Sequence, residues 1–281
     1  MQSNERSSQP RTEDSAGGEG NGISSRNGAP ATVPEFAEPI PEYLRLGYRA
    51  LMAGDATTAI GLWISLYERY PSAEVCGHIA RAHYYQTFFL AHGLDHPQHA
   101  EHILKMRLWA ERALSLNPNS SIGHAMLAAA IGRLAQLSGS QRQIISSSWQ
   151  VRQHAQQAIL IDNTWVGHFV LGTWHREIAS VHPGIRALAG LLRAHIPDGS
   201  YAEAIRHFEE VLRQYPENNT IYAEMAYTYD KMGDVKKARE MFEKALSMPL
   251  FRHPIASHLT GIAAKRYRER FNGGRGAAQA A

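Results

Sequence analysis

Two stretches of this chain share one pattern. Residues 46–71 read LGYRALMAGDATTAIGLWISLYERYP, and residues 225–250 read MAYTYDKMGDVKKAREMFEKALSMPL. Gly54-Asp55 aligns with Gly233-Asp234, 179 positions further on. The same offset sets Tyr48 on Tyr227, Ala59 on Ala238 and Trp63 on Phe242. Apolar residues on either side of the Gly-Asp pair recur at helical spacing, so each stretch reads as two helices joined by a tight turn. Small residues let the two helices approach, and large ones fill the gaps to a neighbour. A hairpin of this kind cannot bury its faces alone, so the chain must stack several of them.

The pattern resembles the tetratricopeptide repeat (TPR), a helix-turn-helix unit of about 34 residues. The first unit starts at Ile40, with Tyr43, Leu46, Gly47 and Ala50 packing from its first helix and Ala59, Trp63 and Leu66 from its second. The last starts near Asn219, with Ala226, Tyr229, Ala238, Phe242 and Ala245 in those roles. Three longer units lie between, starting near Ala73, Ser121 and Trp165. Their excess length falls between the paired helices, and in the fourth unit it adds a short helix from Gly184 to His195. Gly172 and Ala204 are expected at a tight helix contact inside that unit. Ser200 followed by Glu203 reads as a capping box opening a helix over Tyr201–Gln214, and Asp95-His96 before Pro97 as another cap region. A last helix, Pro254–Phe271, would cap the stack with Ile255, Leu259, Ile262 and Ala263 on one face. The expected fold is therefore all-α, a right-handed helical-hairpin (TPR-like) solenoid of about five units over residues 41–271 with a C-terminal capping helix.

The insertions carry a second resemblance. IGRLAQLSGSQRQIISSSWQVRQHAQQAILIDN, HFVLGTWHREIASV and PDGSYAEAIRHFEEVLRQYPEN are similar to bacterial relatives of the regulator-of-microtubule-dynamics family. The likeness rests on the Ile131-Gly132 helix, the Leu171-Gly172-x-Trp174 helix and the long insert before Tyr201-x-x-Ala204. It implies a helical-repeat adaptor. Animal members tied to microtubules or to organelle contact depend partly on membrane anchors, and those roles are not carried over.

The ends differ from the middle. Residues 1–40 are rich in Ser, Gly, Asn and Pro, and their three Arg against six Asp and Glu give a net charge of −3. So little apolar surface cannot offset the entropy of ordering, which predicts a disordered arm. The arm lacks the apolar core of a secretory signal, and its acidity argues against a mitochondrial presequence. Residues 272–281 read as a disordered tail. With 44% hydrophobic residues, 20% charged residues and no apolar run of membrane-spanning length, the expectation is a cytoplasmic protein without a transmembrane segment. A net charge of +3 is too small to imply specific nucleic-acid binding. The one cysteine, Cys76, excludes an internal disulfide and a Cys-rich zinc site, and it reads as core.

No motif for phosphate binding, zinc-dependent proteolysis or serine hydrolysis is present, so the chain reads as non-enzymatic and without a cofactor or metal. His92, His96, His99 and His102 form a cluster in which His99 and His102 share a helix face. It is either a hydrated loop and helix start or a divalent-ion site supporting a metal-dependent enzyme. His83, His124, His168 and His175 fall at packing positions. The concave face is the stronger candidate. The first helix of each unit would line it, with Tyr48, Arg81, Tyr84, Tyr85, Arg133, Arg176, Tyr227 and Lys231 as groove ligand-binding residues. Arg offers bidentate, charge-assisted bonds, and Tyr supplies stiff contact area, a combination suited to an acidic, extended protein segment. The acidic arm is itself a tethered candidate. Alternatively, Arg81 and Arg176 pair with intramolecular carboxylates such as Glu74 and Glu177. The Lys and Asn of a chaperone-tail clamp are not matched, because Leu44 and Tyr48 stand there. The leading expectation is a helical-repeat scaffold binding an acidic peptide. The alternative is a carrier in which the long inserts close the groove around an acidic small molecule or anionic lipid.

Overall fold

The computed structural model describes residues 41–90, 97–191 and 196–272, and every regular element among them is helical. The expected arm (1–40), nearly all of the tail, the Asp95-His96 cap region and residues 192–195 of the insert lie outside the described residues. A 3-10 turn, Glu42–Leu44, leads into α1 (Arg45–Met52) and α2 (Ala56–Arg69). The second hairpin is α3 (Ala73–Phe89) and α4 (Pro97–Leu116), and the third is α5 (Ser121–Leu137) and α6 (Gln141–Asp162). In the fourth, α7 (Trp165–Ala179) and α9 (Tyr201–Gln214) are separated by the short α8 (Pro183–Leu191). The fifth is α10 (Asn219–Met232) and α11 (Val235–Ser247), and α12 (Ala256–Tyr267) follows with a π-turn to Asn272. The repeat starts fall at Ala73, Ser121, Trp165 and Asn219, where the hydrophobic pattern set them.

Local chemistry explains these boundaries. Gly54 and Gly233 both adopt φ +82°, the left-handed turn that ends a helix with little cost only at glycine. The aspartates that follow cap the next helices, Asp55 accepting from the Thr58 N–H and Asp234 from the Lys237 N–H. Ser72, Ser120 and Ser140 cap α3, α5 and α6 in the same way. The expected capping box forms by half. The Ser200 hydroxyl accepts from the Glu203 N–H, but Glu203 turns its carboxylate to Arg206, and the Ser200 N–H donates to His175 Nδ1.

Each second helix packs on the next first helix, and α3, α5 and α7 also pack on one another, which makes the first helices the inner wall. Large residues sit where glycine leaves room. A Cβ at Gly47 would lie 2.3 Å from the Trp63 ring, and one at Gly172 would lie 2.6 Å from the Phe208 ring. The repeat relation extends to ring geometry. Tyr48 meets Trp63 at 5.2 Å and 71°, and Tyr227 meets Phe242 at 5.2 Å and 67°.

Three packing positions differ from expectation. Tyr43 and Leu46 are exposed; Gly47 is buried as expected, and Leu44, Tyr48 and Leu51 are buried with it. The 3-10 turn before α1 advances each residue further round the axis than an α-helix does, so the buried stripe shifts. Ile262 is likewise exposed, whereas Ile255 and Ala263 are buried. The reason is that the C-terminal segment serves two cores. Ala263, with Tyr267 and Phe271, covers Ala226 and Phe242 of the last unit. Ile255 and Leu259 join the core of the first two units, with Leu44, Tyr48 and Tyr85. Cys76 is fully buried, and burial pushes its thiol up to about 11, so it remains an inert core group.

Candidate functional site

The eight groove residues separate into groups rather than one stripe. Tyr48 on α1 and Arg81 on α3 are both buried and share one partner: the Tyr48 hydroxyl and Arg81 Nη2 lie 2.9 and 3.3 Å from His78 Nδ1. The guanidinium lies 5.7 Å above the Tyr48 ring. Burial and the Arg81 charge hold His78 well below the usual imidazole range, so it stays a neutral acceptor. Tyr84 stacks edge-on against Phe88 within α3, and burial raises its phenol. Arg133 on α5 donates to Gln136 Oε1 at 2.9 Å and reaches His99 Nε2 at 3.4 Å.

Arg176, Lys231 and Tyr227 form the other group. Arg176 on α7 is buried and donates to Glu177 at 3.0 Å and to Glu224 on α10 at 2.5 Å. Burial alone would lower its pKa, but the two carboxylates outweigh burial and hold it above the ordinary value. Lys231 donates to the other oxygen of Glu177 at 2.8 Å. Tyr227 lies 5.9 Å under Arg176, and burial, reinforced by Glu224, raises its phenol. Arg176 and Lys231 are therefore held in ion pairs within the wall. The wall that gathers these cations also brings Glu177 and Glu224 to them. Arg176 pairs with Glu177 as the intramolecular alternative foresaw, and Glu224 is the partner that sequence spacing did not reveal.

The groove also holds a segment of this chain. The connector between α11 and α12 crosses the inner wall as a non-helical run that bends at Arg252 and His253 and turns into α12. Its Phe251 N–H donates to Asn219 Oδ1 at 3.0 Å, and the Phe251 ring meets Tyr215 at 5.9 Å. His253 Nε2 lies 2.6 Å from the Tyr85 hydroxyl and its ring 5.8 Å from Trp165. Tyr85 is thereby buried against the connector. The signal was present in the sequence: Pro249 and Pro254 enclose a non-helical run that still carries Phe251 and precedes Ile255.

Beside this connector lies a cavity of about 630 Å³. Tyr48, Glu74, His78 and Arg81 line one side, Ser121, Ile122 and Met126 the middle, and Trp165, Gln214 and Tyr215 the other. Of the eight groove residues, Tyr48 and Arg81 reach it. The N-terminal ends of α3, α5 and α7 all open on it, so three helix dipoles present their positive ends.

The histidines are arranged differently from the sequence expectation. His92 and His96 lie outside the described residues. His99 is buried towards Arg133, whereas His102 pairs with His83, their Nδ1 atoms 3.0 Å apart, so the two do not converge. The same pairing recurs between His124 and His154 and between His168 and His207, each with Nδ1 atoms 2.9 Å apart. Every pair joins the first helix of a unit to its second. Burial and the partner His102 push His83 down to about 3; burial and His168 push His207 down to about 4. No helix among the described residues is long and apolar enough to cross a membrane.

Comparison with known proteins agrees with this architecture. The thermophilic TPR protein TTC0263 of Thermus thermophilus superposes with a TM-score of 0.56 at 16% identity, over 79% of this chain and 96% of that one. MamA covers 73% of this chain and 88% of its own at 15% identity and a TM-score of 0.40. YrrB, described as a TPR protein with an unusual peptide-binding site, covers 82% and 93% at 16% identity and 0.39. No curated protein matches by sequence. The family model for regulator of microtubule dynamics protein 1-3 matches residues 49–253, which takes in the whole of the second to fifth hairpins and most of the first. The chain is a TPR-like helical-repeat protein and belongs to the regulator of microtubule dynamics protein 1-3 family.

Proposed function

We propose that this protein is a non-catalytic scaffold that binds an acidic protein segment on its concave face, in the cavity at the starts of α3, α5 and α7. The observation that carries this reading is the convergence of three helix N-termini with the Arg81 guanidinium on one cavity. Backbone dipoles at such ends favour a carboxylate by about 0.3–1 kcal/mol each at exposed sites. Trp165, Tyr215 and Tyr48 add flat, stiff surface against which a peptide can lie. Arg133, Arg176 and Lys231 serve the scaffold rather than the ligand in this reading.

The volume also falls within the range of a small-molecule site, which favours an acidic small ligand as the second reading. A lipid tail fits less well, because Glu74, His78, Asn119, Asp162 and Gln214 interrupt the apolar lining.

Two isosteric changes test the proposal. Asn119→Asp with Gln214→Glu adds two negative charges to the rim without changing its volume. Peptides selected on the full chain from a random library should be rich in Asp and Glu, bind more weakly as salt rises, and lose at least about tenfold in affinity for the variant, about 1.4 kcal/mol. Selected peptides without acidic bias, or equal affinity for the variant, would remove the cavity as the binding site.

A further inference from the structure

Among the described residues, one set of three ligating side chains converges: His175 on α7, with Glu203 and His207 on α9, each offering one donor atom within 4.8 Å of the others. We propose that these three residues bind one Zn²⁺ ion between α7 and α9, with the fourth coordination position open to solvent. Two imidazoles and a carboxylate are ligands that zinc takes, and three protein ligands with one open position is an established zinc arrangement. Tetrahedral bonds of about 2.0–2.2 Å place ligand atoms roughly 3.3–3.6 Å apart. Small side-chain rotations close the remaining gap.

The surroundings prepare the ligands. His168 Nε2 lies 2.9 Å from Asn163 Oδ1, and a carbonyl oxygen can only accept, so the proton sits on Nε2 and His168 Nδ1 becomes an acceptor. His207 Nδ1, 2.9 Å away, is then the donor, which leaves His207 Nε2 with a bare lone pair. The same relay holds in the preceding unit, where His124 Nε2 donates to the Pro118 carbonyl and His154 donates to His124. An outer partner that fixes the tautomer is what metal-bound histidines ordinarily have. His175 Nδ1 accepts only a long, 3.4 Å bond from the Ser200 N–H, and its ring stacks on His207 at 5.6 Å. Both Arg206 bonds fall on Glu203 Oε2, so Oε1 is the oxygen left for the metal.

The frame beneath is rigid. Glu203 and His207 stand one turn apart on α9. The chain entering α9 is pressed on α7, since a Cβ at Gly199 would lie 2.4 Å from the Ala179 amide nitrogen and 2.8 Å from the His175 carbonyl. The ion would lock together the two helices that the insert separates.

The test uses the full chain stripped with a chelator and titrated with Zn²⁺ against a chromophoric competitor. We expect one ion per chain, a rise in melting temperature on loading, and visible bands of a tetrahedral site when Co²⁺ replaces Zn²⁺. His175→Ala and Glu203→Gln, both at half-buried positions, should each weaken binding on the order of 100-fold and abolish the thermal shift. His168→Ala should weaken it about 10–100-fold by releasing the His207 tautomer. His207→Ala is the most buried change, and the other variants decide the matter if it fails to fold. Absence of stoichiometric binding overturns the proposal. So does binding that survives His175→Ala with Glu203→Gln, or that disappears in His83→Ala with His102→Ala or in His124→Ala with His154→Ala.

Discussion

The contact of Gly172 with Phe208 gives a sharp test of the unit-four packing. A methyl group at position 172 would lie 2.6 Å from Phe208 Cε1 and 2.9 Å from both Cδ1 and Cζ. Carbon atoms pack best at about 3.5–4.0 Å. The Phe208 ring is fully buried, with Phe169 at 6.4 Å, so it cannot swing into solvent. Gly172→Leu must therefore push α7 away from α9. Overpacking of this kind costs about 1–3 kcal/mol, with this site at the upper end because the first added carbon already overlaps the ring. Replacing a helical glycine returns about 1 kcal/mol of propensity, so the net loss is about 2 kcal/mol. Gly132 in α5 is the control. Its Cβ would meet only Val151 Cγ2, at 3.8 Å, so Gly132→Ala should stabilise by up to about 1 kcal/mol. Urea unfolding followed by far-UV circular dichroism reads both. Phe208→Ala alone should cost about 3–5 kcal/mol. Combined with Gly172→Leu it should cost less than the sum by at least about 1 kcal/mol, because the leucine fills the vacated space. A neutral Gly172→Leu, or strict additivity with Phe208→Ala, would show that α7 and α9 do not meet at these residues.

Two further outcomes follow from the charges. Arg176→Ala should cost about 3–5 kcal/mol, because it leaves Glu177 and Glu224 together without their shared buried cation, whereas Lys231→Ala, at an exposed pair, should cost no more than about 1 kcal/mol; similar denaturant midpoints for the two variants would contradict the pairing. The folded protein should also lose stability in acid: burial first, then the paired ring, holds His83 near 3 when folded, against about 6.5 unfolded. Above pH 6.5 neither state binds the proton and the contribution is complete; as pH falls towards 4 the unfolded chain takes up protons that the folded one refuses, costing up to about 2 kcal/mol at pH 5 for His83. The slope of melting temperature between pH 7 and 5 should flatten in His83→Gln with His102→Gln, and an unchanged slope would rule the pair out as its source.

The sequence exposed whatever depends on local rules. Gly54-Asp55 and Gly233-Asp234 are turn and cap in one dipeptide, and Gly172 is a small residue marking a close approach to α9, so both can be read from type and spacing, although the side chain that meets Gly172 is Phe208. What escaped depends on residues far apart in the chain. Glu224 meets Arg176 only because α10 stacks beside α7. His83 meets His102 across a hairpin whose length is irregular, and the connector at His253 reaches Tyr85 and Trp165 only because the intervening units bring α3 and α7 to it. The misplaced stripe at Tyr43 and Leu46 had a local cause, the 3-10 turn, but nothing in EYL separates it from an α-helical start.

Helix polarity accounts for where the cations went. Arg133, Arg176 and Lys231 all lie in the later part of their helices, Arg176 and Lys231 within the last turn. Carbonyl groups at such ends favour a cation, so positive side chains there stabilise the scaffold itself, and Glu177 completes the neutralisation. An incoming anion gains more at the opposite ends, where the starts of α3, α5 and α7 face the cavity and Arg81 is the guanidinium within reach. Arg133, Arg176 and Lys231 therefore gather away from the helix starts that face the cavity. The connector reinforces the division, since His253 seals Tyr85 and covers part of Trp165, and Phe251 lies on Tyr215, while the cavity beside them stays open. On the proposed reading, a segment that binds at the starts of these three first helices would carry its acidic residue close to the apolar or aromatic one that rests on Trp165 or Tyr215.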